Sequence, residues 1–161
     1  MAPKQVQAGF RLPLAYNLFF LLIEPISAVV GAFYTHFRQA QYLSLLDASS
    51  APTEGVPRAA SVAMSQLASM YLFFALNEAV VLRSTADLRV WRAVLLVLLL
   101  ADVAHLCSLR ALGPRIYWDV AGWNAAGWGN VPWVYAGMAM RLCFLSGVGL
   151  GGGKTPERKR Q

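Results

Sequence analysis

Four long apolar segments alternate with polar segments along this chain of 161 residues. A helix needs about 20 predominantly apolar residues to cross the hydrocarbon core of a bilayer. The segments that meet this length run from about Leu12 to Phe37, from Val62 to Leu82, from Val90 to Leu109 and from Trp128 to Leu150. The pattern therefore predicts an all-α fold, a four-helix transmembrane bundle that residues 1–150 form as a single membrane domain.

Polar segments that contain Pro, Gly and Ser separate the predicted spans and have the composition of loops. The sequence DASSAPTEGVPR follows span one, and the shorter RSTADLR joins spans two and three. A segment rich in Gly and Trp, RALGPRIYWDVAGWNAAGWGN, joins spans three and four. Residues 151–161 are rich in Gly and basic residues, so we expect a disordered basic tail there.

The composition also indicates a membrane protein. Hydrophobic residues make up 57% of the chain and charged residues only 14%, whereas a soluble domain carries about 25% charged residues. The mean hydropathy is +0.47. The net charge of +6 arises from basic residues that flank the apolar segments. Because no nucleic-acid motif accompanies them, we expect no nucleic-acid partner.

Lysine and arginine flank the spans unevenly, and this bias sets the orientation of a membrane protein. One side of the predicted bundle carries Lys4, Arg11, Arg83, Arg89, Arg92, Lys154, Arg158, Lys159 and Arg160. The other side carries Arg38, Arg58, Arg110 and Arg115. Because basic residues accumulate in cytoplasmic loops, we expect both termini in the cytoplasm. The basic tail also resembles a dibasic signal for retrieval to the endoplasmic reticulum, and a tail that only flanks the membrane is the alternative.

Three of the eight acidic residues lie inside the predicted spans, namely Glu24, Glu78 and Asp102. An acid at the bilayer centre costs about 2.5–3.5 kcal/mol on a lenient scale, so three unpaired acids would cost about 8–10 kcal/mol. They should therefore face the bundle interior, where Arg141 and His105 are candidate partners. Because three acids outnumber one arginine, at least one acid should stay protonated near neutral pH.

The position of each group along its helix brings the polar residues to a common depth. With a rise of about 1.5 Å per residue, Glu24, Asp102 and Arg141 lie near the centres of their spans. Glu78 lies about 7 Å to the cytoplasmic side of the centre of span two, and His105 lies one turn beyond Asp102 on the same face. We therefore predict a catalytic group of Glu24, Asp102, Glu78 and His105. The alternative for a single acid is a structural bridge to Arg141 that fixes helix register.

Other polar and aromatic side chains are candidates to bind and orient a substrate. They are Asn77, Arg141, Tyr71, Trp123, Asn124 and Tyr135. Ordinary packing is the alternative role for both tyrosines. Tryptophans cluster around the start of span four, where an aromatic belt at the membrane surface and a hydrophobic substrate mouth are the alternatives.

Motifs for metal, nucleophilic or nucleotide chemistry are absent, since the chain has no HExxH, GxSxG, CxxC or P-loop. Metal binding by His105, Asp102 and Glu78 is disfavoured because Glu78 lies about two turns off in depth. We therefore expect acid–base chemistry on a lipophilic molecule, without a cofactor or metal. Epoxide opening, epoxide-initiated cyclisation and double-bond isomerisation all need a proton donor and a carboxylate, and they stay open as alternatives.

Five stretches carry a family resemblance: IEPISAVVGAFYTHFRQAQYL, MYLFFALNEAVVLRSTADLRVWR, ADVAHL, WNAAGWGNVPWVYAGMAMR and FLSGVGLG. From Pro13 to Leu150 the chain resembles small four-helix integral membrane proteins of filamentous fungi. Some of these are similar to membrane-bound epoxide hydrolases and cyclases of polyketide pathways, such as those that make aurovertin- and citreoviridin-type pyrones. The resemblance implies fungal secondary metabolite biosynthesis, in which polyene-derived epoxides open to cyclic ethers. It assigns no catalytic residue, so the residues named above rest on the burial argument.

Two other function classes remain open. Four short helices with a glutamate in the first resemble small multidrug antiporters, which work as dimers. A proton-coupled transporter or lipophile-binding membrane protein is therefore the alternative to an enzyme. Arg141 and two further acids inside the spans, however, are more charged groups than a simple proton-coupled exchanger usually has. A noncatalytic membrane scaffold is the third class. The expected partners are a lipophilic small molecule and membrane lipid, and a homo-oligomer stays open.

Overall fold

The computed structural model describes Phe10 and residues 12–150. In this part of the chain the backbone forms helices and loops and no strand, which confirms the all-α class. The helices are α1 (Leu14–Phe37), α2 (Gln39–Leu46), α3 (Arg58–Ser84), α4 (Leu88–Leu112), α5 (Ala125–Asn130) and α6 (Pro132–Leu145). The predicted disordered tail, residues 151–161, and the basic residues Lys4 and Arg11 lie outside the described residues.

Three helices, α1, α3 and α4, are long and apolar enough to cross a membrane. Their outward faces carry large apolar side chains, of which Val97 is 62% and Leu100 63% exposed. The buried positions of the same helices include acidic groups. A water-soluble protein instead exposes its charged side chains and buries its large apolar ones. This distribution is compatible with a membrane protein, whose ionisable groups face the bundle interior.

The fourth apolar segment forms two helices instead of the single predicted helix. Helix α5 ends at Asn130, and α6 begins at Pro132 after a turn at Val131. The proline ring has no N–H for the helical hydrogen-bond ladder, so a new helix begins there more readily than an old one continues. Helix α6 has 14 residues, which corresponds to a length of about 21 Å. That length is shorter than the hydrocarbon core of a bilayer, about 30 Å.

Helices α1 and α3 each contain one wide π-helical turn, and the two turns contact each other. They span Phe19–Ile23 and Asn77–Val81. Such turns are rare and are often found at functional sites. In α1 the π-turn leads directly into Glu24, and in α3 it contains Glu78. The helical irregularities therefore lie at the two buried glutamates.

Pro25 leaves one carbonyl of α1 without its helical hydrogen-bond donor, because proline has no N–H. The carbonyl that an N–H at position 25 would bind in an α-helix is that of Leu21. In the structure the side chain of Arg83 donates to it through Nη2. The end of α3 is therefore tied to the π-turn of α1.

The helices pack as two close pairs, α1 with α3 and α4 with α6. Small buried residues, Ala28 and Ala32 on α1 and Ala68 and Ala75 on α3, let the first pair approach closely. At one end of the bundle an apolar core forms from Tyr16, Phe20, Leu82, Trp91, Leu95, Leu98 and Phe144. At the other end α2 packs against α5, and we call this the α2–α5 end. A charged layer separates the two ends.

Candidate functional site

Arg141 of α6 binds one acid from each of the three long helices. Its Nη1 donates to Oδ2 of Asp102 at 2.8 Å, and its Nη2 donates to Oε1 of Glu24 at 2.9 Å and to Oε1 of Glu78 at 3.1 Å. Arg141 and Glu78 are 0% exposed, Glu24 5% and Asp102 7%. We call these four residues the ion cluster. It joins the α1–α3 pair to the α4–α6 pair.

The ion cluster has more acids than its one guanidinium can balance. Three carboxylates and one guanidinium are neutral together only when two of the acids carry a proton, and burying net charge is costly. Oε1 of Glu24 and Oε1 of Glu78 accept from the same nitrogen of Arg141, Nη2, so the two carboxyls lie close together. Two ionised carboxylates that share a buried site repel each other, and a proton on one of them relieves this repulsion. The geometry therefore favours a proton shared by Glu24 and Glu78.

Two phenylalanines cover the guanidinium of Arg141. Its central carbon lies 5.1 Å from the ring centroid of Phe74 and 5.8 Å from that of Phe20. Aromatic rings at this distance attract a cation and exclude water from it. Each ring precedes the glutamate on its own helix by one helical turn. Sequence reasoning missed both residues, although the spacing of four residues before each buried acid is visible in the sequence.

Gly137 also belongs to the site and was missed by sequence reasoning. It lies one turn before Arg141 on α6. A Cβ atom at this position would lie 2.6 Å from Arg141 Nη1 and 2.8 Å from Glu24 Oε1. Both distances are shorter than real Cβ contacts. The sequence does show a glycine one helical turn before an arginine inside an apolar span. Whether a side chain at position 137 would clash, however, depends on the direction of the guanidinium, which the sequence does not show.

Two of the predicted substrate-binding residues lie on α3 outside the ion cluster. The Asn77 side chain donates to the carbonyl of Phe73 on its own helix at 2.8 Å. The Tyr71 ring lies 3.5 Å from where a Cβ of Gly31 would be. Both side chains therefore have contacts away from Arg141.

The other predicted substrate-binding residues lie toward the α2–α5 end. The Trp123 indole donates to the Ile116 carbonyl at 2.7 Å. Asn124 caps α5 by accepting from the Gly127 N–H at 3.0 Å, and its amide donates to the carbonyl of Leu45 at 2.6 Å. Tyr135 is 40% exposed and donates to the carbonyl of Tyr117 at 3.3 Å. These contacts order the loops around α2 and α5.

A cavity of about 80 Å³ lies at the α2–α5 end. Trp123, Asn124 and Asn130 contribute the polar side chains of its lining, and leucines and Ile116 contribute the apolar part. Pockets that hold small organic ligands usually measure about 300–1,000 Å³. A cavity this small instead has room for a few water molecules, each of which needs roughly 10–15 Å³ on this measure.

His105 lies between this cavity and the ion cluster. It follows Asp102 by three residues on α4, so the two side chains share one face of the helix. One turn further along α4 lies Leu109, which lines the cavity. The Nε2 of His105 is buried and has no hydrogen-bond partner among the described residues. Within the same part of the chain, no group of His, Cys, Asp and Glu side chains has the arrangement of a metal site. The cation that the three acids surround is Arg141.

Comparison with known proteins gives a family without an assigned activity. No curated protein and no solved structure matches the chain. Residues 9–151 match the model of a domain of unknown function, DUF7704. This match covers most of the chain, including every helix described above. The protein therefore belongs to the DUF7704 family.

Proposed function

We propose that this protein is an integral membrane enzyme that opens or cyclises epoxides of a lipophilic polyketide or terpenoid secondary metabolite without a cofactor. The observation that carries the proposal is that the Glu24 and Glu78 carboxyls bind one and the same nitrogen of Arg141, a geometry that favours a proton shared between them. A neutral carboxyl beside an ionised one supplies a general acid and a general base within one dry site. Asp102, held on the other nitrogen of Arg141, supplies a third carboxyl group, which can hold the second proton that a neutral cluster needs.

The reaction uses these groups without any oxidant or reductant. A protonated glutamate gives its proton to the epoxide oxygen while a C–O bond of the epoxide breaks. Water or a hydroxyl of the substrate forms the new C–O bond at that carbon and passes its proton to a carboxylate of the ion cluster. Attack by water gives a diol, and attack by the substrate's own hydroxyl gives a cyclic ether. Either way the number of protons on the cluster is unchanged after one turnover.

The ion cluster is closed in the structure, so a lipophilic substrate must enter by separation of helices. The cavity at the α2–α5 end is too small for a polyketide. Entry from the lipid between the α1–α3 pair and the α4–α6 pair would bring the substrate directly to Arg141. In this proposal α5 and α6 together cross the membrane as a fourth span, both termini are cytoplasmic, and the membrane is that of the endoplasmic reticulum.

A proton-coupled transporter is the second candidate, and the sealed cluster favours it. Three acids around one arginine change their net charge with each proton bound, and a buried net charge drives helices to rearrange. A transporter needs such a link between protonation and conformation, whereas an enzyme does not. Dye or lipophile flux driven by a pH gradient in sealed vesicles would support this candidate.

The proposal is tested by mixing the purified protein in detergent with a panel of lipophilic polyene epoxides and measuring diols and cyclic ethers by mass spectrometry. Glu24→Gln, Glu78→Gln and Asp102→Asn are compared with Glu54→Gln, which changes an exposed acid in the loop before α3. We expect products from the wild type and the control and none from the three cluster variants. Products from all variants, or none from a well-folded wild type, would overturn the proposal.

A further inference from the structure

We infer that the cavity at the α2–α5 end is a water chamber from which protons reach the ion cluster through His105. The inference rests on the proposed function, since it names the proton supply of the same site. Three observations carry it: the lining of the cavity, the buried and unpartnered Nε2 of His105 between the cavity and Asp102, and the aromatic closure of the opposite end of the bundle.

The cavity reaches α4 at Leu109 and α5 at Asn130, both of which line it. The other polar side chains of the lining, Trp123 and Asn124, already bind backbone groups of the surrounding loops. Asn130 is 6% exposed and lies at the end of α5. A buried amide is seldom left without partners, so we expect it to bind water in the cavity. His105 lies one helical turn inward from Leu109 on the same face of α4.

His105 has the chemistry that a proton relay needs. Its Nε2 is buried and has no hydrogen-bond partner among the described residues, so this nitrogen is available to take or give a proton. An imidazole that takes a proton on one nitrogen releases one from the other, so its two sides can connect a donor and an acceptor. On the inner side lies Asp102, one turn away on the same face of α4. Asp102 in turn binds Arg141, which binds Glu24 and Glu78.

Among the residues that the structure describes, the opposite end of the bundle shows no comparable route. Phe20 and Phe144 are 0% exposed there. The ring of Phe144 packs against Tyr16 at 5.2 Å and against Trp91 at 5.5 Å between centroids. Packed aromatic rings exclude water and carry no protons. Exchange of protons between the cluster and the solvent is therefore expected to run through His105 from one side only.

The relay is tested by infrared spectroscopy of the protein in detergent, without any substrate. The C=O stretch of a protonated carboxyl shifts when its proton is replaced by deuterium, so rapid dilution into D₂O gives the exchange rate of the cluster. Loss of the band in Glu24→Gln or Glu78→Gln assigns it to the shared proton. We expect His105→Phe to slow the exchange by about a hundredfold, the lower end of what a positioned proton-transfer group contributes.

The chain supplies a matched control, since its second histidine, His36, is exposed near the end of α1. His36→Phe should exchange at the wild-type rate. His105→Gln keeps a polar side chain at this position but has no pair of ring nitrogens to pass a proton between, and it should also be slow. This variant decides the question if His105→Phe fails to fold, as judged by circular dichroism.

The relay and the proposed function fail in different ways. Wild-type exchange rates in both His105 variants, or no protonated carboxyl band in the wild type, would overturn the relay even if the protein turns over epoxides. Slow exchange in both His105 variants, together with no product from any epoxide, would support the relay and remove the enzyme proposal.

Discussion

Gly137 of α6 lies so close to Arg141 that a Cβ atom at position 137 would be 2.6 Å from Nη1 of the arginine. The same atom would be 2.8 Å from Oε1 of Glu24 on α1. The guanidinium has little freedom to move aside, because its nitrogens bind three carboxyls and two rings cover it. The missing side chain at position 137 therefore sets how closely α6 approaches α1.

Gly137→Ala should destabilise the protein by about 1–3 kcal/mol, the usual cost of overpacking a tight site. The added methyl would force Arg141 or Glu24 out of the ion cluster. Gly129→Ala is the matched control, because a Cβ at that position meets nothing within 4 Å. Thermal unfolding of both variants in the same detergent measures the difference. Equal melting temperatures for the two variants would show that position 137 tolerates a side chain.

Arg141→Lys should lower stability although it keeps the positive charge. Arginine reaches Asp102 with Nη1 and both glutamates with Nη2, whereas a lysine ammonium is a compact point charge without this fork. At least one buried acid would lose its donor, at a cost of about 1–3 kcal/mol. Arg89→Lys, at an exposed position, should change stability by less than about 0.5 kcal/mol. Unfolding in denaturant compares the two, and a wild-type result for Arg141→Lys would contradict the fork geometry.

Glu78→Gln should retain the fold and abolish epoxide turnover. A glutamine has the shape of a protonated glutamate, and its oxygen still accepts from Arg141. We therefore expect stability within about 1 kcal/mol of the wild type, because Arg141 keeps this hydrogen bond. The transferable proton, however, would be lost. Melting temperature and product formation are measured on one preparation, and full turnover would assign Glu78 a structural role alone.

Much of the ion cluster could be predicted from the sequence, because an acid inside an apolar span is costly unless it is paired. Counting residues from the span centres gave Glu24, Asp102 and Arg141 a common depth, and these side chains meet in the structure. The same count gave Glu78 an offset of about 7 Å. In the structure Glu78 binds the same nitrogen as Glu24, so α3 is staggered along α1. Hydropathy contains no information about such a stagger.

The features that could not be predicted depend on contacts between helices. The helix breaks at Val131 because Pro132 follows it. A search for long apolar segments treats this region as continuous, since the residues around the proline are apolar. The π-turns are changes of hydrogen-bond register that leave composition unaltered. The importance of Gly137 appears only once the direction of the Arg141 side chain is known. Local propensity therefore predicts the helices, and packing determines how they are interrupted.

The hydrogen bond from Arg83 to the Leu21 carbonyl should stabilise the protein only when position 25 is proline. Arg83→Met would leave that carbonyl without a donor and cost about 0.5–1.5 kcal/mol. Pro25→Ala restores a backbone N–H that can bind the same carbonyl, so Arg83→Met should cost less in that background. A double-mutant cycle on the melting curves isolates this coupling. The same loss in both backgrounds would mean that Arg83 acts through its charge alone.

The orientation of the bundle gives a last prediction that is independent of the chemistry. If both termini are cytoplasmic, the loop between α2 and α3 faces the lumen of the endoplasmic reticulum, and the short connection between α3 and α4 faces the cytoplasm. An Asn-x-Ser acceptor inserted beside Glu54 should therefore be glycosylated, because only lumenal acceptors are modified. The same acceptor inserted beside Asp87 should remain unmodified. Electrophoresis before and after glycosidase treatment gives the result. The reverse pattern would mean that the bundle has the opposite orientation. The arginines of the α3–α4 connection would then lie on the lumenal side, which basic residues usually avoid.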